Sequence, residues 1–289
     1  MRDVNLLKRT LQRLEEELQR EMVAMDGKKT AVNGSYGKLG SRYSVLYSPN
    51  LLIQVTLTGQ LALLMLIESV GSIEGADVVS ANTDGIMVSC VRSKEQVVLD
   101  AVKRWEQITG YTTERADFSA IFARDVNNYV AFKLDGGVKS KGIYGKGLPL
   151  HKNPSVDICA EAAIAYLKDG SSIEETIRGC HDMRKFVKVQ RVTGGAVYQG
   201  QPIGKVVRWY YSSTSVDAIY YALNKRLVAQ TEGAKPLIEL PFELPDDLNF
   251  DWYIREAKSM IWDLGLDVNG EWAPVKAKKT RKKQEVACV

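Results

Sequence analysis

Apolar side chains recur at helical spacing over residues 4–24, where Leu6, Leu7, Leu11, Leu14, Leu18 and Met22 alternate with Glu15-Glu16-Glu17 and several basic residues. That pattern predicts an amphipathic helix with a solvated charged face. From about Leu51 to Val70, after the Ser48-Pro49-Asn50 break, the chain is apolar nearly all round, which predicts a helix buried against a sheet. The period then shortens. Residues 76–90 read as strand, tight turn, strand, with β-branched residues flanking Asn82-Thr83-Asp84-Gly85. Ser93–Gly110 returns to helical spacing through Val97, Val98, Ala101, Val102, Trp105 and Ile108, and Thr112–Leu134 is rich in strand formers. Beyond a glycine- and lysine-rich stretch at 136–147, helical patterns dominate: 155–169, 171–188, 215–229 and 251–264. Gly194–Tyr211, with Gly194-Gly195 and Gly200, reads as loop or short strand. The expected class is α+β.

Residues 28–42 admit two readings. As a helix they place Lys29, Asn33 and Tyr36 on one face, an ammonium above an amide above a phenol, with Gly37 ending the run. Such a face suits a nucleotide's phosphates, sugar and base in turn. Asn33-Gly34 is equally the composition of a tight hairpin turn. The stretch is not a phosphate-cradling Walker loop, because only two residues separate Gly34 from Gly37-Lys38 and Leu39 follows the lysine. The turn at 82–85 holds Asp84 at a hairpin tip, where a carboxylate can reach a metal beyond the sheet.

Taken together and in this order, the two stretches resemble the family B DNA polymerases, especially those of phages. The family's motif B, Lys-x-x-x-Asn-x-x-Tyr-Gly, is matched by Lys29, Asn33, Tyr36 and Gly37. Its motif C hairpin, Asp-Thr-Asp-Ser or Asp-Thr-Asp-Gly, is matched by Asn82, Thr83, Asp84 and Gly85, with a neutral residue where most relatives carry the first aspartate. Tyr47-Ser48-Pro49 and Val55–Gln60 also look like the family's palm. The resemblance implies fingers helices with motif B at 1–42, with residues 4–24 antiparallel to the helix of Lys29. It implies a palm at 43–135, a palm–thumb connection at 136–152, a mainly helical thumb at 153–265 and a basic tail at 266–289. It implies nucleotidyl transfer of deoxynucleoside triphosphates to a primer 3′-hydroxyl, with two Mg²⁺ ions, of which Asp84 is a ligand. Lys29 would meet the triphosphate, Asn33 the sugar region and Tyr36 the nascent base pair. Arg13 and Arg20 are candidates for further triphosphate contacts, and Gln60 loosely matches a position near the nucleotide. The family's Lys-x-Tyr grip on the primer reads Asn127-Asn128-Tyr129, so Tyr129 is kept and the lysine is lost. Lys139 and Lys141 would hold the duplex backbone.

Motif A, with the other metal-binding aspartate, and the exonuclease domain are missing. About thirty residues precede motif B, too few for them. The expected partners are therefore primer–template DNA, dNTP and an N-terminal polymerase chain carrying both elements and sharing the Mg²⁺ site. Alone, the chain is expected to be inactive. A DNA-binding remnant or accessory module is the alternative.

Charge adds little. The net charge is +4 at pH 7, and the six basic residues within 276–283 more than account for it, so nucleic-acid binding has to rest on local patches. The segment 266–289 reads as a disordered tail. Cys90, Cys159, Cys180 and Cys288 form no Cys-x-x-Cys pair, and with only His151 and His181 they suggest no zinc site. The best apolar run, Leu61–Ile67, is short for a membrane span. No membrane partner and a cytoplasmic location are expected.

Overall fold

The computed structural model describes residues 2–147 and 155–266, with side chains from Thr10 onward. The architecture is α+β with antiparallel sheets, and the chain divides into two compact units at Glu114/Arg115. The division falls inside the 43–135 span. Residues 148–154 of the expected connection and thumb, and 267–289 of the tail, lie outside the described residues.

The first unit begins with α1 (Arg2–Leu39), a continuous helix of 38 residues. The expected pair of antiparallel helices is therefore corrected to one. Gly27 is the sole glycine between the two patterns and no proline accompanies it. One interior glycine costs a helix only about 1 kcal/mol relative to alanine, too little to turn the chain back. Helix α2 (Pro49–Gly71) starts on a proline, whose fixed φ and missing N–H suit a first turn. Its C-terminal part enters a small core, where Leu66 and Val70 join Ala76, Val98 and Trp105, and Trp105 Nε1 donates to the Ala62 carbonyl at 2.7 Å. Ile53, Leu57, Leu61 and Leu64 remain exposed, so the expectation of a buried helix holds for one end alone. At 23 residues α2 is also long and apolar enough to cross a membrane by length and composition, which corrects the expectation that no segment approaches that length. Strands β1 (Ala76–Ala81) and β2 (Ile86–Cys90) form an antiparallel hairpin with a bulge between Val78 and Ser80. Helix α3 (Glu95–Thr109) closes the unit, ending on Gly110 in the left-handed conformation.

The second unit opens with the antiparallel sheet β3 (Phe118–Asp125), β4 (Asn128–Lys133) and β5 (Val138–Lys141), in that order. Its inner face, including Phe122, Val130 and Phe132, joins a core built with α4 (Asp157–Asp169), α5 (Ile173–Arg178) and α6 (Phe250–Trp262). The expected mainly helical thumb is corrected here. A four-stranded antiparallel sheet runs in the order β8 (Tyr220–Tyr221), β6 (Lys188–Tyr198), β7 (Gln201–Tyr211), β9 (Ala234–Pro236). Gly194 and Gly195, at φ +83° and +91°, lie in a register shift of β6 between Arg191 and Ala196, so these glycines mark a bulge within a strand. The 215–229 segment, expected as a helix, holds the short strand β8 and is otherwise irregular. Thr231 Oγ1 donates within its reach to Val228 O at 2.7 Å and accepts from the Ile219 N–H at 3.2 Å, giving the buried backbone partners that a helix would otherwise supply.

Tyrosine hydroxyls tie these layers together. Tyr253 OH donates to Phe186 O at 3.0 Å and accepts from the Tyr211 N–H at 2.9 Å, while Tyr144 OH donates to Met260 O at 2.8 Å. Lys188 donates to Gln230 Oε1. Burial lowers the Lys188 pKa and raises that of Glu256, and the attraction between the two charges opposes both shifts.

Gly142 is sterically required. It stands at φ +67°, and an added Cβ would lie 2.2 Å from Asn128 Oδ1 and 2.3 Å from Asn127 O. Gly142→Ala should therefore destabilise the second unit by roughly 1–3 kcal/mol. Urea unfolding would read this as a lower midpoint at unchanged slope, and an unshifted midpoint would refute the clash.

Candidate functional site

Lys29, Asn33 and Tyr36 all lie on α1, exposed and on one face, so the helical reading of 28–42 holds and the hairpin reading falls. Tyr36 is anchored: its hydroxyl and Thr56 Oγ1 are 2.7 Å apart, and Thr56 also donates to Leu52 O at 2.7 Å. Thr56 thereby joins the Lys29–Tyr36 face of α1 to α2, a role that its position in an apolar helix did not signal. Gly37 lies within the helix, which continues to Leu39, and a Cβ there would meet nothing within 4 Å. Its expected role as the end of the run is corrected. Arg13 and Arg20 are exposed but stand about half a turn around α1 from Lys29, by the helix's 3.6-residue period. On a straight helix they cannot converge with it, so their triphosphate role is dropped. Gln60 is exposed on α2.

Asp84 stands where the turn composition put it, between β1 and β2, and it is exposed. The turn is closed by the Asn82 N–H donating to Gly85 O at 2.9 Å. Asn82 Oδ1 accepts from the Asp84 N–H at 3.0 Å. Asn82 thus shapes the turn with its side chain, a local hydrogen bond that aspartate makes equally well. Thr83 is exposed beside it, and Gly85 half-buried. The Asp84 carboxylate makes no hydrogen bond or ion pair among the described residues, leaving its oxygens available to a ligand. No group of three or more His, Cys, Asp or Glu comes together among the described residues. A magnesium ion takes one or two carboxylates together with substrate phosphates and water, so Asp84 suits one position in such a shell and leaves the rest to be supplied.

A comparison with models of known protein families finds none that matches this chain, and a comparison with curated proteins finds no match.

In the second unit, Lys139 and Lys141 are exposed on one face of the outer strand β5, opposite Ala131 and Tyr129. Lys146 is exposed beyond it. Tyr129 itself is buried, which leaves its ring no open surface to offer DNA. The strand carrying the lysines is held by a residue that sequence reasoning passed over. Asn128 Oδ1 accepts from the Ile143 N–H at 2.9 Å, and Asn128 Nδ2 donates to both oxygens of Asp125, at 2.8 and 2.9 Å. These bonds, chiefly that of Asn128 and then the Asn127 N–H, hold the Asp125 carboxyl below its ordinary pKa. An Asp-x-Asn-Asn turn was the available signal.

Proposed function

We propose that this chain is the C-terminal part of a family B DNA polymerase whose active site is completed by a second polypeptide. The observation that carries the reading is Asp84, an unpartnered carboxylate at an exposed hairpin tip, in the same unit as a helix presenting Lys29, Asn33 and Tyr36 on one face. The palm, fingers and thumb assignments belong to this proposal.

Asp84 would hold Mg²⁺ from the protein side, and when bound the metal supplies positive charge against the triphosphate and lowers the pKa of the primer hydroxyl. The chain's own residues do the positioning. The Lys29 ammonium is a point charge suited to phosphate oxygens. Tyr36, held by Thr56, offers a flat ring whose selectivity is for shape. Lys139 and Lys141, on a strand locked by Asn128, suit sequence-independent contact with a phosphate backbone. Asn82 and Asn127, both neutral, favour the second reading, a non-catalytic DNA-binding module, at those two positions alone.

Primer extension separates the two. The purified chain should extend nothing with Mg²⁺ and dNTPs. Together with the polypeptide bearing an Asp-x-x-Ser-Leu-Tyr-Pro-like segment, it should extend primers as a one-to-one complex. In that complex Lys29→Ala should lower kcat/KM for dNTP by about ten- to a hundredfold, the loss of one charge-assisted phosphate contact, with duplex affinity nearly unchanged. Extension by the chain alone would overturn the two-chain reading, and DNA binding without extension in any combination would leave the module.

A further inference from the structure

Between β9 and α6 the chain repeats a four-residue unit, Ile238-Glu239-Leu240-Pro241 and then Phe242-Glu243-Leu244-Pro245. The backbone there is irregular but tied at both ends. The Leu237 N–H donates to Arg208 O at 2.8 Å, the Leu248 N–H donates to Pro245 O at 3.0 Å, and Leu237 and Leu244 pack against the core. Between these ties Ile238 and Phe242 are 92 and 105% exposed, and Leu240 is 43% exposed. Apolar side chains clustered in water on one fixed loop mark a surface built to be covered.

Charge selects what covers it. Residues 236–254 hold five acids, Glu239, Glu243, Asp246, Asp247 and Asp251, and no lysine or arginine. Asp247 is paired with Lys235 and Asp251 with Arg178. Glu239, Glu243 and Asp246 are exposed and make no ion pair among the described residues. The occupant therefore has to bring apolar side chains together with several cations. Residues 272–283 of this chain have that composition. Trp272-Ala273-Pro274-Val275 is followed by Lys276, Lys278, Lys279, Arg281, Lys282 and Lys283, with no acid among them.

Reach permits the contact. The loop leads into one end of α6 and the chain from Leu266 leaves the other, and the 13 residues of α6 span about 20 Å. The stretch from Leu266 to Trp272 extends up to about 20 Å, and that to Lys276 up to about 33 Å. A tether this short keeps the segment near the loop at an effective concentration on the order of millimolar, well above that of a second copy in dilute solution. A second copy's loop would set acids against acids, and an anionic lipid surface would do the same.

We propose that residues 272–283 fold back onto the 238–246 loop of the same chain. Trp272 and Val275 cover Ile238 and Phe242, and the cations that follow face Glu239, Glu243 and Asp246. The contact is independent of the polymerase reading.

The test is carbodiimide cross-linking of the full-length chain, which joins an ammonium to a touching carboxylate as an amide, the carbodiimide taking up the water as a urea. Mass spectrometry of the monomer band should find Lys276, Lys278 or Lys279 joined to Glu239, Glu243 or Asp246. Raising salt to about 0.5 M should lower that yield several-fold by screening the charges. Ile238→Ser with Phe242→Ser, at exposed positions, should leave the melting curve unchanged. The pair should also cut the yield about fivefold and speed tryptic cleavage after Lys276 by a similar factor, the scale of losing part of one apolar contact. Trp272→Ser should act in the same way from the other side. Absence of these cross-links, or yields and cleavage rates indifferent to the variants, would overturn the proposal. So would links that join unlike copies in a mixture of ¹⁴N- and ¹⁵N-labelled chains, which give the loop to a second copy. Binding to phosphatidylcholine vesicles that Phe242→Ser abolishes would give it to a membrane instead.

Discussion

If the chain works in the two-chain polymerase proposed above, Asp84→Asn in that complex should reduce primer extension by roughly a hundred- to a thousandfold, the scale of losing one preorganised electrostatic group at a reacting centre. The fold should not notice. Asp84 is exposed, its carboxylate has no partner among the described residues, and its contribution to the turn is a backbone N–H received by Asn82. Stopped-flow extension would show the rate falling while the melting temperature and duplex affinity stay put. A variant that extends at the original rate removes Asp84 from the reaction. Asn82→Asp is the companion: it keeps the side-chain acceptor for the Asp84 N–H and adds a negative charge beside Asp84. Less Mg²⁺ should then be needed for half-maximal rate.

The largest stability effect should come from Asp247. Its carboxylate accepts from Tyr210 OH at 2.7 Å, Ser212 Oγ and Lys235 Nζ at 2.8 Å, and Thr214 Oγ1 at 3.0 Å. Burial pushes its pKa up, but the bonds from Lys235, Tyr210, Ser212 and Thr214 together outweigh that and hold it far below the ordinary carboxylate range. These contacts pin the end of β7, and Lys235 of β9, to the segment before α6. Asp247→Asn should cost roughly 3 kcal/mol at neutral pH, since hydrogen bonds to a charged group are each worth about 1.5–3. Because the folded pKa is depressed, this stabilisation is fully present above the unfolded value of about 3.9 and is lost as pH falls through the folded one. Urea midpoints of the two proteins should differ most above about pH 5 and draw together in strong acid. A gap that is constant with pH would assign the effect to packing.

What the sequence disclosed was mainly local. The Asn82–Gly85 turn, the strands beside it, α3 and α6 follow from spacing and turn chemistry that need no distant partner. Failures arose where one residue's role depends on another far along the chain. Leu51–Leu64 reads as core by hydrophobicity alone, yet nothing among the described residues covers its outer side. Residues 215–229 have helical spacing, but Thr231 and the pairing of Tyr220 and Tyr221 with β6 give their backbone other partners. The bulge glycines of β6 look like loop residues until β7 is beside them. The shared helical face of Lys29, Asn33 and Tyr36 and the hairpin-tip position of Asp84 were legible from spacing and turn composition. Thr56 and Asn128 act through contacts twenty and fifteen positions away and were not.

The unbroken α1 also makes a lever. It is tied to α2 near one end, where Tyr36 meets Thr56 and Gly40 lies against Leu52. Lys29 lies about 10 Å from that fulcrum and Leu11 about 38 Å from it, at 1.5 Å per residue. A tilt of about five degrees would therefore sweep Leu11 through some ~3 Å and Lys29 through ~1 Å, and a 1 Å misplacement can cost a reaction about a hundredfold. Whatever steadies the far tip steadies the ammonium near the pivot, so purchase on Leu11–Met25 converts into aim at Lys29.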